Sequence, residues 1–221
     1  MAASAQSLTL SDEMKIIHRI FRREFVAMPE LVRGVRDGDV ERARAVGDGV
    51  QLMLLGLHVH HSGEDALLWP KLLDRATPSA DVVHRMEAQH EAVAELVGKA
   101  ELQVTGWLAA AGATERDALA ATLDELRAPL FEHLDEEEAH ILPLAEEHIA
   151  PEEWEQLGEH GRREFPKSKL FIQLGSILED TTPSERDAFL AKLPKPVVLM
   201  WRLVGKRQYA NFTRQVRGTA A

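Results

Sequence analysis

The chain has 221 residues, 45% of them hydrophobic, and a formal net charge of −10. That length and apolar content suffice for one generous domain with a real core, or for a domain with an appendage. The acidic balance argues against a nucleic-acid partner, no segment approaches the roughly 18 uninterrupted apolar residues of a membrane span, and the absence of Cys removes disulfides, thiolate metal sites and a cysteine nucleophile.

The first residues, MAASAQSLTLSDEM, carry neither the basic start nor the apolar stretch of a secretory signal, so a cytoplasmic location is expected. Ala, Leu, Glu and Arg dominate while β-branched runs are nearly missing, which predicts an all-α chain. A first helix is expected to start near Ser11 or Asp12 as N-cap, with Met14, Ile17, Phe21 and Phe25 on one face and Gly34 to Gly38 ending it. A second runs from about Asp39 to Asp74 and stops before ATPS; a third spans roughly Ser79 to Ala111, and a fourth roughly Thr114 to Glu147. Short polar connections between four long helices predict an up-down-up-down four-helix bundle. After Pro151 the pattern breaks up into EEWEQLGEHGRREFP, a helix near 168–179, the loop DTTPS, a short helix to Leu193, the breaker PKP and a last helix from Val197. Three parts are therefore expected: a flexible N-terminus over 1–11, the bundle over 12–148, and additional C-terminal helices over 151–221 that pack on the bundle.

An internal repeat carries the functional signal. Setting Pro70 over Pro143 places HHSGEDALLWP on HLDEEEAHILP, with His60 over His133, Glu64 over Glu137 and Asp65 over Glu138. His61 and Asp65 form a competing pair, but His61 falls on Leu134, so the register favours His60 with Glu64. Upstream, His18 in the first helix corresponds within a residue to His90 in the third. The chain thus reads as two helical hairpins, each giving one lone His and one His-x-x-x-Glu.

Residues i and i+4 share a helix face about 6 Å apart along the axis, so each pair points an imidazole and a carboxylate the same way. His18 lies on the stripe of Met14, Phe21 and Phe25, and His90 on that of Met86, Val93 and Val97; both stripes face the core. Six ligands converge: His18, His60, Glu64, His90, His133 and Glu137. Ionised carboxylates in an apolar bundle cost several kcal/mol unless paired or bound to metal. Imidazole with carboxylate suits Fe, Mn or Zn, and ligand type alone does not choose among them. Singly, each residue reads more simply as a hydrogen-bonded core group or part of a solvated face. His148 with Glu152 and His160 with Glu164 show the same spacing and read as surface or connector residues. The duplicated array is what points to metal, and Glu87, His61 and Asp65 are candidates for a seventh ligand or for partners of the ligands. His84 reads as exterior.

These motifs, His18, HHSGEDALLWP, His90 in MEAQHEAVAEL and HLDEEEAHILP, make residues 12 to 148 resemble the hemerythrin-like HHE family of cation-binding bundles. The resemblance implies two non-haem iron ions bridged by the glutamates and an oxo or hydroxo group, reacting with oxygen, peroxide or nitric oxide. Oxygen-carrying members have a His where this chain has Met86, and iron–sulfur repair members carry a Cys segment that is absent here. Three classes of function follow: a di-iron ligand binder or sensor, a peroxide-disproportionating, catalase-like enzyme, and a metal-independent helical interaction module.

From Lys192 onward there are seven Lys or Arg and no acid. Val197, Met200, Trp201, Val204, Phe212 and Val216 are expected to form one apolar stripe. It would pack on the acidic bundle or make a homodimer contact, or else present a basic amphipathic helix to a membrane surface, a nucleic acid or a partner.

Overall fold

The computed structural model describes residues 8–218. Among them every regular element is helical. Helix α1 covers Leu10–Arg33, α2 Val40–Leu67, α3 Trp69–Arg75, α4 Ala80–Ala110 and α5 Ala113–Glu136. A π-helical turn, Glu137–Ile141, then joins α5 to α6, Leu142–His148. The remainder forms α7 (Pro151–Glu164), α8 (Leu170–Glu179), α9 (Pro183–Ala191), α10 (Lys195–Met200), a second π turn (Trp201–Gly205) and α11 (Lys206–Arg217).

Local chemistry explains the boundaries. Thr9, not Ser11 or Asp12, caps α1: its hydroxyl accepts from the Asp12 amide and the Asp12 carboxylate accepts from the Thr9 amide, a reciprocal capping box. Helix α1 therefore begins inside the stretch expected to be flexible, whose residues 1–7 lie outside the described ones. Asp39 caps α2. Pro29 stays within α1 without ending it. The two expected long helices that end in Pro motifs are both interrupted, since proline lacks the N–H and crowds the carbonyl four residues back. Before Pro70 the chain breaks at Leu68, and before Pro143 it widens into the π turn, where the Leu142 amide donates to Glu137 O.

The long helices α1, α2, α4 and α5 pack as a closed set, α4 on α5, α5 on α1, α1 on α2 and α2 on α4. The Gly38 amide donates to Ala111 O at 2.9 Å, so the α1–α2 and α4–α5 connections meet at one end. Gly38 there has φ +75°, which a residue with a Cβ resists. Two apolar clusters fill the interior. One, near those connections, contains Phe21, Phe25, Leu54, Leu57, Val93, Trp107, Leu126 and Leu134. The other, at the opposite end, contains Met14, Leu68, Trp69, Met86, Ile141 and Trp154. Along every long helix the positions between the two clusters carry His or Glu.

The later helices touch the long ones at several places. Helix α7, whose sparse apolar content gave no helical signal in the sequence, packs on α2 and buries Trp154. Arg75 holds its start with paired bonds of 2.6 and 2.8 Å to Glu153. Helix α8 lies on α1, and α11 on α8 and α2. Arg217 ties the last turn to Glu24 and Glu179, and the Tyr209 hydroxyl donates to Glu179 at 2.6 Å. The expected single stripe of the basic segment divides instead. Trp201 and Val216 are buried whereas Val197, Met200 and Val204 are exposed, the π turn at Trp201–Gly205 interrupting the regular helical register between them.

Candidate metal centre

Between the two apolar clusters lies a layer of seven ionisable side chains. His18 comes from α1, His60, His61 and Glu64 from α2, His90 from α4, His133 from α5 and Glu137 from the π turn that follows it. Six of these are the residues singled out by the repeat, and the structure brings all six together. They form two adjoining groups, His61, Glu64, His90 and His133 in one and His18, His60 and Glu137 in the other, with ligand atoms in each group within 4.8 Å of one another. His61 is the addition. It is buried, stacked on His90 with ring centroids 4.1 Å apart, and 5.0 Å edge-on from His133.

The carboxylates stand between the groups. Glu64 lies 3.3 Å from His60 Nε2 and 3.5 Å from His90 Nε2; Glu137 lies 3.1 Å from His18 Nε2 and 3.8 Å from His133 Nε2. Each acid thus reaches one imidazole of either group. Seven inward atoms have no hydrogen-bond partner, His18 Nε2, His60 Nε2, His61 Nε2 and all four oxygens of Glu64 and Glu137, whereas His90 Nε2 and His133 Nε2 face each other at 3.2 Å. A buried polar atom without a partner costs about 1–3 kcal/mol, more if charged. A layer holding seven such atoms is not a set of satisfied core groups, and its donor chemistry fits divalent cations of the Fe, Mn or Zn kind.

The opposite ring nitrogens are anchored outward. His90 Nδ1 lies 2.6 Å from Asp65, whose carboxylate also accepts from the Trp69 indole at 2.9 Å. His18 Nδ1 lies 2.9 Å from Glu138, which is itself held by Arg22 at 3.1 Å. Asp65 and Glu138 are equivalent positions of the repeat, and each fixes the lone His of a neighbouring helix. His133 Nδ1 contacts Gln89 Oε1 at 3.3 Å. Such outward acceptors set the tautomer that leaves Nε2 free to bind a cation.

Electrostatics describe a layer short of positive charge. Burial drives His60 and His61 well below the usual imidazole range, helped by the neighbouring imidazoles, and brings His133 to about 4. Burial also opposes charge on His18, but Glu137 and Glu138 outweigh it and raise that imidazole. Burial, with Glu137 close by, pushes Glu64 well above the carboxylate range. Glu137 resists the same burial because His18, His133 and His60 face it, and is held at about 2. Two carboxylates in one dry layer do not both ionise without added cations.

The other candidates fall outside. His84 is exposed and pairs with Glu87 at 2.7 Å, which accounts for Glu87 without metal. His58 and His140 are exposed. His160 lies against Gly63, where a Cβ would approach its ring to 3.1 Å, and contacts Ser62 Oγ at 3.2 Å. Tyr209 sits among the C-terminal helices.

A family model described as the hemerythrin HHE cation binding domain matches residues 9–145. No curated protein and no solved structure matches the chain.

Proposed function

The chain belongs to the hemerythrin HHE cation-binding family, and from that premise we propose that its seven-residue layer holds two non-haem irons that bind or react with small oxidants. The observation carrying this reading is the set of buried, unpartnered Nε2 and carboxylate atoms shared between two groups. Iron in such a donor set supplies reversible electron transfer to a small ligand. The protein's own part is to hold the donors. Glu64 and Glu137, each facing both groups, would be shared between the two ions. His61, His90 and His133 would hold one ion and His18 and His60 the other, whose smaller set of protein donors would leave more room for an exogenous ligand. Met86, fully buried in the apolar cluster beside the layer, offers no further nitrogen.

This reading takes the long helices as an up-down-up-down bundle over 12–148, with residues 151–221 as an extension packed on it. Among the described residues no helix is long and apolar enough to cross a membrane. A cytoplasmic setting is part of the proposal. The test is an optical spectrum of iron-loaded protein before and after oxygen, peroxide and nitric oxide. Ligand-dependent absorption bands support the reading, and a spectrum unmoved by all three contradicts oxidant chemistry. Oxygen release on adding peroxide, lost in His60→Ala, identifies a peroxide-disproportionating enzyme rather than a binding protein or sensor.

A further inference from the structure

The C-terminal helical run from Lys195 to Arg217 has two apolar faces, and only one is used inside the molecule. Its inner face is fixed. Trp201 packs with Leu174 and Leu178, Val216 lies against Gly49, and a Cβ on Gly205 would sit 2.5 Å from the Trp201 ring and 3.0 Å from Phe171. Ion pairs of Arg217 with Glu24 and Glu179 lock the far end. The helix therefore cannot turn to bury its other side.

That other side is apolar and open. Leu199, Met200, Leu203 and Val204 are 56, 45, 68 and 48% exposed, with Val197 beside them at 38%. Elsewhere the exposed large hydrophobics are single residues, Val26, Val40 and Leu102, on three different helices. Spacing of three, four and five residues makes the first four one continuous ridge. Lys195, Arg202, Lys206 and Arg207 flank it, all exposed. Lys192 is paired with Glu13, and Arg217 with its two acids, but these four have no carboxylate within ion-pair distance among the described residues. The chain as a whole carries a charge of −10, yet no acid occurs from Lys192 onward.

We propose that this ridge docks the protein in the plane of an anionic lipid surface, its aliphatic side chains entering the headgroup boundary and its four free cations meeting lipid phosphates. The pattern is that of an interfacial helix, apolar on the contact face with cations at its edges. A two-fold contact with a second copy would set the same cations against each other. A nucleic acid offers phosphates to the cations but nothing to a protruding ridge of aliphatic side chains, and the ridge has no aromatic ring on which a base could stack. Lipid satisfies both halves of the surface.

The experiment is cosedimentation of the full chain with vesicles of phosphatidylglycerol and phosphatidylcholine in equal parts, and with phosphatidylcholine alone, at low and high salt. Binding to the mixed vesicles, weak or absent on the neutral ones and reduced by salt, is expected. Leu203→Glu should lower the bound fraction roughly 10-fold or more, since it puts a charge where an exposed aliphatic side chain would enter the lipid. Lys206→Glu and Arg207→Glu should each lower it about 5-fold or more. All three positions are exposed, and unchanged thermal unfolding verifies that the variants fold. No binding to the mixed vesicles overturns the proposal. So does a solution dimer that Leu203→Glu dissociates while vesicles bind neither form, or binding to nucleic acid that Leu203→Glu leaves intact.

Discussion

The first copy of the repeat, His60 to Pro70, and the second, His133 to Pro143, deliver a His-x-x-x-Glu pair to the same layer from helices that end in different ways. In the first, α2 stops at Leu67 and a new helix starts at Trp69; in the second, the helix loosens into a π turn that begins at Glu137 itself. The first copy also contributes His61, where the second has Leu134, fully buried in the apolar cluster. Anchoring differs as well. Asp65 is half exposed and leans on the Trp69 indole, whereas Glu138 is three-quarters covered and clamped by Arg22. A duplicated sequence has thus become an unequal pair of groups that could each hold a metal ion, one with four candidate donors and one with three. Inequality of that kind is what a centre needs if one ion is to be saturated by protein and the other open to a ligand.

The largest effect is expected from removing a carboxylate that faces both groups. Glu64→Ala and Glu137→Ala are each expected to abolish binding of both ions, and the metal-loaded wild type should lose roughly 3–4 kcal/mol of stability for each ion that a chelator strips, as follows from ligation at 100 to 1,000 times Kd. Metal analysis and thermal unfolding check this; a variant that keeps one ion would show that its glutamate serves a single group. Next in size is His61→Leu, which makes the first copy match the second. It should weaken one ion by more than the ~100-fold typical of an outer partner and leave the other in place, read by iron titration. Equal loss of both ions, or of neither, removes His61 from the ligand set.

In the metal-free protein the buried imidazoles make stability depend on pH. His60, His61 and His133 are depressed on folding, so the unfolded chain takes up protons first as pH falls below about 6.5, and their contribution to stability declines from there down to the folded value of His133, about 4, while Glu64, raised by burial, contributes in the opposite direction. His133 alone contributes a loss of about 3 kcal/mol over that range. His18 has the opposite sign: raised by Glu137 and Glu138 against burial, its contribution is complete below the ordinary imidazole value and lost as pH rises through the folded one. Urea unfolding of apo protein across this range should show the acid decline, and Glu138→Gln should flatten the alkaline side only. The smallest effects belong to the anchors. Asp65→Asn and Glu138→Gln are each expected to cost ~10–100-fold in metal affinity, with Glu138→Gln the larger because its carboxylate is less exposed and held by a cation. The reverse order would mean that anchoring is governed by the shorter 2.6 Å contact of Asp65.

Much of this was legible in the sequence because helices convert spacing into direction. The matched offsets aligned six residues that the structure gathers into one layer, and capping residues and prolines located most helix ends to within a few positions. Two features are less plain in the sequence. His61 reads there only as a candidate seventh ligand or partner of the ligands, because the repeat opposes it with Leu134, although residues 60 and 61 both lie one turn from Glu64, at four and three positions, and can both face it. Helix α7 carries too few apolar residues for a periodic signal, and its stability comes from Trp154 and from Arg75 on another helix. The π turns depend on how a proline is accommodated, which local sequence leaves open between a break at Leu68 and a bulge at Glu137.

Whether one layer holds two ions in unequal groups is decided by metal analysis of the full chain after anaerobic loading with iron(II) and removal of excess. Two irons per chain are expected, the second released by chelator before the first because its group has one fewer protein donor. A single iron per chain, or none retained, would contradict it.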